Sequence, residues 1–551
     1  MVPAYSLALT VAVTAPLLAP GYLLLRDAVS TPRSYLTDAA LGLTEAAPRA
    51  LPQDFFVAVA SHVVDGGLVV KVLLVAGLWL AGWGAATLAD AVVPAAGMAG
   101  QFVAATLAVW NPYVAERLLQ GHWSLLVGYG CLPWVAAAVL RLRASGERRS
   151  GWPVLFWVAL AGLTPTGLML AATVALACCL TTGEGRSRRW CAAVSLGSAV
   201  LGALPWLVAP AVSGSLASSQ AAGVTEFAAR AEPGLGTLGS LAGLGGIWNG
   251  QAVPPTRTTL FALVATAVLL AVVALGVATV ARRPGGRPLL VLAAVAVVAP
   301  ALMAAGPGLA AVDAVVRTVP GLGVLRDAQK WVALAMPGYA VAGAAAVVTL
   351  ARRVPRGATA TVCCLALIAV LPDLAWGVSG RMTPVRYPAG WSTAAALINA
   401  DPRPVAVLPQ MSMRQFSWAG RAPVLDPLPR WLSAEVLTTG DLNIGGRTVP
   451  GEGARARDVE RLVLSGAGRE ELADAGVGWV VVEGGGPRLS LPVAYADDDV
   501  AVYRIGGDRP SAPYRGVAVA AHLVWLIALL VGATGTVAAA MTAGRRRSAV
   551  H

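Results

Sequence analysis

Apolar runs near or above the length that spans a bilayer recur along this chain, at roughly 3–25, 68–91, 93–110, 123–141, 191–209, 259–281, 288–305, 333–351, 357–377 and 516–541. A helix of about 20 residues crosses the ~30 Å of hydrocarbon in a bilayer. A chain in that solvent must satisfy its backbone polar groups internally, so runs of this kind fold as helices. With 57% hydrophobic and only 13% charged residues, the composition matches lipid rather than water. A further apolar stretch, 153–180, is divided by Thr164-Pro165-Thr166-Gly167 and reads as two short spans meeting at the break. That makes about twelve spans in a multi-pass α-helical membrane protein. The break itself is expected to form a tight outward turn, the alternative being that it lines a cavity.

Arginine sets the orientation. Short basic segments occur at 141–152, 181–190, 281–288, 351–357 and 544–551. Cytoplasmic loops carry the excess of basic residues. Twelve spans put all five segments on one side, with both termini cytoplasmic, whereas reading 153–180 as one span puts the first two on opposite sides. These arginines also account for much of the net charge of +12, which points to topology and anionic lipid rather than to nucleic acid. The six cysteines lie in or at the ends of apolar runs without a CxxC pair, so neither a disulfide framework nor a metal site is expected. The first run lacks a basic leader and a clear small-residue cleavage site before Arg26, and is expected to remain as a span.

The segments between the basic loops face outward and are chemically richer. Residues 1–377 form the polytopic part. Residues 378–515 form a small extracytoplasmic α/β module, and 516–551 the last span and a basic tail. Within the module, 403–410, 477–485 and 500–505 read as strands, and 390–400 and 456–466 as helices. No nucleophile elbow, Walker loop or dinucleotide fingerprint occurs there, so an accessory role is expected.

Three outward clusters carry candidate chemistry. Arg26-Asp27 follows the first apolar run at headgroup level. Asp27 there is either a general base for a hydroxyl or half of an interfacial anchor pair. The segment NPYVAERLLQGHW (111–123) offers Asn111, Glu116, Arg117 and His122. Arg117 suits a phosphate through its planar fork and His122 suits a phosphate oxygen as donor. An Arg–Glu pair on a re-entrant helix is the structural alternative, with His122 capping the next span. The third cluster, RDAQKW (326–331), holds Arg326 and Lys330, the latter one of two lysines among 41 basic residues. In so arginine-rich a background, Lys330 suggests a need for a compact point charge for a phosphate oxygen. Chance retention and headgroup snorkelling are the alternatives.

An Asp after the first span, a long first outward loop, about a dozen spans and a C-terminal outward module together resemble the GT-C superfamily, membrane glycosyltransferases that use polyprenyl-phosphate sugars. The segments LLLRDAVSTPR, QDFFVAVASHVV, WNPYVAERLLQGHW and LRDAQKWVA also resemble integral membrane proteins of mycobacteria and other actinobacteria. The resemblance implies that Asp27 is the catalytic base of an inverting transfer, with Asp54 and Asp38 as second candidates. Many members carry a paired acidic motif in this loop, where this chain has only Arg26-Asp27. It also implies a donor phosphate held by Lys330, Arg326, His122 and Arg117, with Glu116 and Asn111 in acceptor or structural roles. The sugar implied is mannose or arabinose, and the acceptor a cell-envelope glycan or glycolipid. No cofactor or metal is needed when cationic side chains stabilise the leaving phosphate. A lipid-linked-sugar flippase and a non-catalytic scaffold are the competing classes. Clustering of Asp27, His122 and Lys330 around one outward cavity favours the enzyme; a mid-membrane polar path favours transport.

Overall fold

The computed structural model describes residues 1–45, 50–144, 150–213, 223–319, 321–444 and 446–548, without the side chains of 543–548. Among these residues, seven helices are long and apolar enough to cross a membrane: Gly66–Val92, Trp123–Ala144, Arg188–Ser213, Phe261–Ala281, Gly286–Met303, Ala328–Leu350 and Arg515–Thr542. An eighth span forms if Arg356–Ala369 and Pro372–Gly380, bent by 73° at their break, count as one. Shorter apolar helices lie at Val2–Leu18, Trp152–Ala161 and Pro165–Cys179. The protein is therefore a polytopic membrane protein with at least seven candidate spans, and the expected count of twelve is not reached by length and apolarity alone.

Two expected spans come out shorter. The run at 93–110 becomes Gly97–Val109, a helix of ~20 Å packed inside the bundle. The run at 3–25 is helical only to Leu18. Pro20-Gly21 follows, and Leu24–Leu25 pairs instead with Ala28–Val29 in a hairpin. Arg26 and Asp27 are thus the two turn residues of a β-hairpin rather than the end of a span.

Burial separates the helices into layers. The apolar windows of Trp123–Ala144 and Ala328–Leu350 are 83% buried, whereas those of the other five are 33–44% buried, which leaves one face of each for lipid. Small residues allow the central contacts. A Cβ on Gly130 would lie 2.1 Å from the Gly77 carbonyl oxygen, and one on Gly276 would lie 1.8 Å from that of Ala342.

The C-terminal module contains a five-stranded sheet in the spatial order Val493–Ala496, Val500–Arg504, Trp479–Glu483, Val405–Leu408, Val436–Leu437. Val405–Leu408 is parallel to both its neighbours, and the other two pairings are antiparallel. Alternate side chains feed two cores, as a pleated strand covered on both faces requires. Val405, Val407 and Val481 join Trp391 and Ile398 of helix Ala389–Ala400. Ala406, Leu408, Val480 and Val482 join Val459 and Val463 of helix Ala454–Leu464. The module is tied to the loop after the first helix by backbone bridges from Tyr22 to Val385 and from Arg26 to Val424. Asp38 makes a third tie, accepting from the Ala512 amide at 2.8 Å and pairing with Arg515 at the start of the last helix.

Leucine at Gly276 has no room against the Ala342 backbone, and overpacking of this kind costs about 1–3 kcal/mol or more. Gly276→Leu is expected to lower the thermal unfolding midpoint in detergent, while Gly306→Leu, where a Cβ meets nothing within 4 Å, leaves it within about a degree.

Candidate functional site

A cavity of about 1850 Å³ lies between the bundle and the module. Its bundle wall carries Asp27, His122, Arg326, Asp327 and Lys330, and the opposite wall is built by the module. Thr164, Pro165 and Thr166 also line it. The break between helices Trp152–Ala161 and Pro165–Cys179 therefore faces the cavity, with Thr164 capping the second helix through the Gly167 amide at 3.0 Å.

The hairpin places Asp27 at the wall with its side chain 35% exposed. Its amide donates to the Gln120 carbonyl at 3.1 Å, and its Oδ2 accepts from Gln120 Nε2 at 3.0 Å and from His122 Nε2 at 2.9 Å. Arg26 is locked beside it. Its guanidinium donates to the Leu119 and Gln251 carbonyls at 2.6 and 2.9 Å, and its backbone takes φ +49° at the turn.

Behind Asp27 runs a chain of polar contacts. Asn111 caps helix Pro112–Gln120, accepting from the Val114 amide at 3.1 Å, and the left-handed Gly121 ends it. That short helix carries Arg117, which donates Nη1 to His122 Nδ1 at 3.0 Å. Arg117 also grips Asp327 bidentately at 2.8 and 3.1 Å and donates to Gln329. Lys330 Nζ lies 3.6 Å from Asp327 Oδ2.

This order fixes protonation states. A guanidinium has no acceptor, so His122 Nδ1 must offer its lone pair, and the proton on Nε2 points at Asp27. Burial lowers the His122 pKa, with Arg117 and Lys330 adding to that effect against the pull of Asp27. Burial alone would raise Asp27, but its hydrogen bonds to His122 and Gln120 and the Lys330 charge outweigh it and hold the carboxyl below its usual range. Burial would likewise raise Asp327, yet Arg117 and Lys330 hold it far below. The result is an ionised Asp27 at the cavity wall, oriented by a neutral imidazole.

The other expected residues fall into three groups. Arg326 and Lys330 reach the cavity, as does Asp54, which is paired with Arg430 of the module at 3.1 Å. Asp38 is absent from the lining and is occupied by Ala512 and Arg515, so it ties the last helix to the first loop instead of offering a second base. Arg117, Glu116 and Asn111 are fully buried behind the wall. Arg117 was expected to pair with a phosphate; its fork is taken by Asp327, and it acts on the cavity through His122. Glu116 accepts from the Gly246 and Ile247 amides and from Gln329 Nε2, at 3.1–3.2 Å, and burial together with the nearby Glu232 raises its pKa. Asn111 additionally donates to Tyr129 and to two carbonyls. Gln120, Asp327 and Gln329 complete the site and were not singled out from the sequence.

No family model matches the chain, and no curated protein matches it. Among solved structures, the chain is similar to the cryo-EM structure of the arabinofuranosyltransferase AftD from mycobacteria. The TM-score is 0.56 at 17% sequence identity, covering 93% of this chain and 40% of that one. This chain thus spans well under half the length of AftD. The likeness shows that the two chains share a fold.

If His122 holds Asp27 ionised, His122→Phe removes that hydrogen bond and raises the Asp27 pKa. Infrared titration of the carboxyl band assigned by Asp27→Asn is expected to show a higher midpoint in His122→Phe than in the native protein. An unmoved midpoint contradicts this role.

Proposed function

We propose that this protein is a GT-C-type glycosyltransferase acting at the extracytoplasmic face of the cell membrane, with both termini cytoplasmic. The observation that carries this reading is the placement of an ionised, partly exposed Asp27 and of Lys330 and Arg326 on one wall of a single large cavity. The shared fold with an arabinofuranosyltransferase supports it and favours arabinose, with mannose as the second sugar.

In the proposed reaction a polyprenyl-phosphate sugar is the donor, with its phosphate against Lys330 and Arg326. An acceptor hydroxyl of a cell-envelope glycan or glycolipid loses its proton to Asp27. Its oxygen bonds to the anomeric carbon as the bond from that carbon to the phosphate oxygen breaks. Polyprenyl phosphate leaves with the bonding electrons, and configuration inverts. Its negative charge is met by the Lys330 and Arg326 cations, whose preorganisation costs nothing at the moment of reaction. A carboxylate of depressed pKa is a weak base, which suits a transition state where carbon–oxygen cleavage leads and the hydroxyl proton leaves late. His122 keeps Asp27 aimed, and Arg117 keeps His122 aimed.

The test is transfer of labelled sugar from polyprenyl-phosphate arabinose and polyprenyl-phosphate mannose to envelope glycolipid in vesicles. Native protein is expected to transfer from one of them, and a folded Asp27→Asn variant to lose about 10²–10⁴-fold. Lys330→Met is expected to lower kcat/KM for the donor by about 10²-fold. Movement of intact donor across the bilayer without transfer, unchanged in Asp27→Asn, supports a flippase instead.

A further inference from the structure

The module wall of the cavity contains polar side chains that the transfer scheme leaves unused. Gln410, Arg414, Asp426 and Glu483 all line the cavity, and each is 3–5% exposed. Arg414 sits between two carboxylates, donating Nε to Glu483 Oε2 at 2.6 Å and Nη2 to Asp426 Oδ2 at 3.3 Å. Asp426 is further held by the Leu428 amide at 2.8 Å. The remaining capacity is unmet: Arg414 Nη1, Glu483 Oε1 and both amide atoms of Gln410 have no hydrogen-bond partner among the described residues. Buried polar groups are nearly always paired, so four unpaired atoms in one wall call for a partner.

Their position follows from strand register. Val424 pairs with Arg414 on one side and bridges to Arg26 on the other. Neighbouring strands lie ~4.8 Å apart, so the backbones of Arg26 and Arg414 are separated by ~10 Å. That is about the length of a disaccharide, measured from the residue next to Asp27.

Resting on the glycosyltransferase reading, we propose that Gln410, Arg414, Asp426 and Glu483 form an acceptor subsite for an uncharged, hydroxyl-rich glycan, one to two sugar rings away from Asp27. A sugar hydroxyl is both donor and acceptor, and the unmet atoms comprise guanidinium and amide donors with amide and carboxyl oxygens. Burial and the adjacent Asp426 raise the Glu483 pKa well above the usual carboxyl value. Such a site has no cation to spare for an anionic acceptor, because Arg414 already faces two carboxyl groups. The module thereby becomes the part that chooses the acceptor, while the bundle holds the donor.

Gln410 provides the cleanest test, because its amide makes no protein hydrogen bond and Gln410→Leu has none to break. The experiment is direct binding of neutral arabinofuranosyl and mannosyl tetrasaccharides to the full-length protein in detergent, without donor, with a uronic-acid tetrasaccharide as comparison. Native protein is expected to bind one neutral tetrasaccharide and not the charged one, with Gln410→Leu weakening binding about tenfold at an unchanged unfolding midpoint. Arg414→Lys is expected to weaken it at least as much. Equal binding by native protein and Gln410→Leu overturns the subsite, as does preference for the charged tetrasaccharide or binding of none of the three. Binding that is lost in Gln410→Leu by a protein that transfers no sugar keeps the subsite and removes the transferase reading. Sugar transfer with an acceptor KM unmoved in Gln410→Leu does the reverse.

Discussion

Everything near the cavity depends on the fully buried guanidinium of Arg117. A cation removed from water is tolerated only when its donors find good acceptors, and an uncompensated one is strongly destabilising. Arg117 meets this demand through its two Nη atoms, which find Asp327, Gln329 and His122, while Nε has no partner among the described residues. Satisfying one buried charge therefore draws the start of helix Ala328–Leu350 and the end of helix Pro112–Gln120 into a single register. The position of Lys330 and the tautomer of His122 are consequences of that register, and the orientation of Asp27 follows from the tautomer.

The hairpin that presents Asp27 is also the seat of the module. Arg26 donates its backbone N–H to Pro423 and accepts from the Leu425 N–H, at 3.0 and 2.9 Å, so residues beside the carboxylate form part of the module's strand network. A movement of the module is thereby coupled to the geometry at Asp27. The same hairpin makes Asp27 two-sided, with the bundle behind it and the module opposite, which is the placement the proposed transfer between a lipid-held donor and a glycan acceptor calls for.

The elements whose pattern is local were legible in the sequence. The helices follow the apolar runs, the strands at Val405–Leu408, Trp479–Glu483 and Val500–Arg504 follow the apolar strings between turn residues, and the Thr164-Pro165 break divides two helices. Residues of rare type in this composition were legible too: His122 and Lys330 both reach the cavity. The end of the first helix was not, because Leu23, Leu24 and Leu25 suit a span and a buried strand equally, and only pairing with Ala28–Val29 decides between them. Asp327, Gln329 and Gln120 gain their roles from partners tens to hundreds of residues away, and Arg117 was assigned to a ligand because its true partner Asp327 lies 210 residues along the chain. Glutamines such as Gln410 are too ordinary in a sequence to stand out; a buried amide without a partner is visible only in three dimensions.

The most direct test of this account is a cryo-EM structure of the protein in nanodiscs with polyprenyl phosphate bound. The account predicts the phosphate within hydrogen-bonding distance of Lys330, in the cavity shared with Asp27, while Arg117 stays on Asp327 and His122 behind the wall. A phosphate bound at the opposite membrane face, or one that draws Arg117 out of its pair with Asp327, contradicts it.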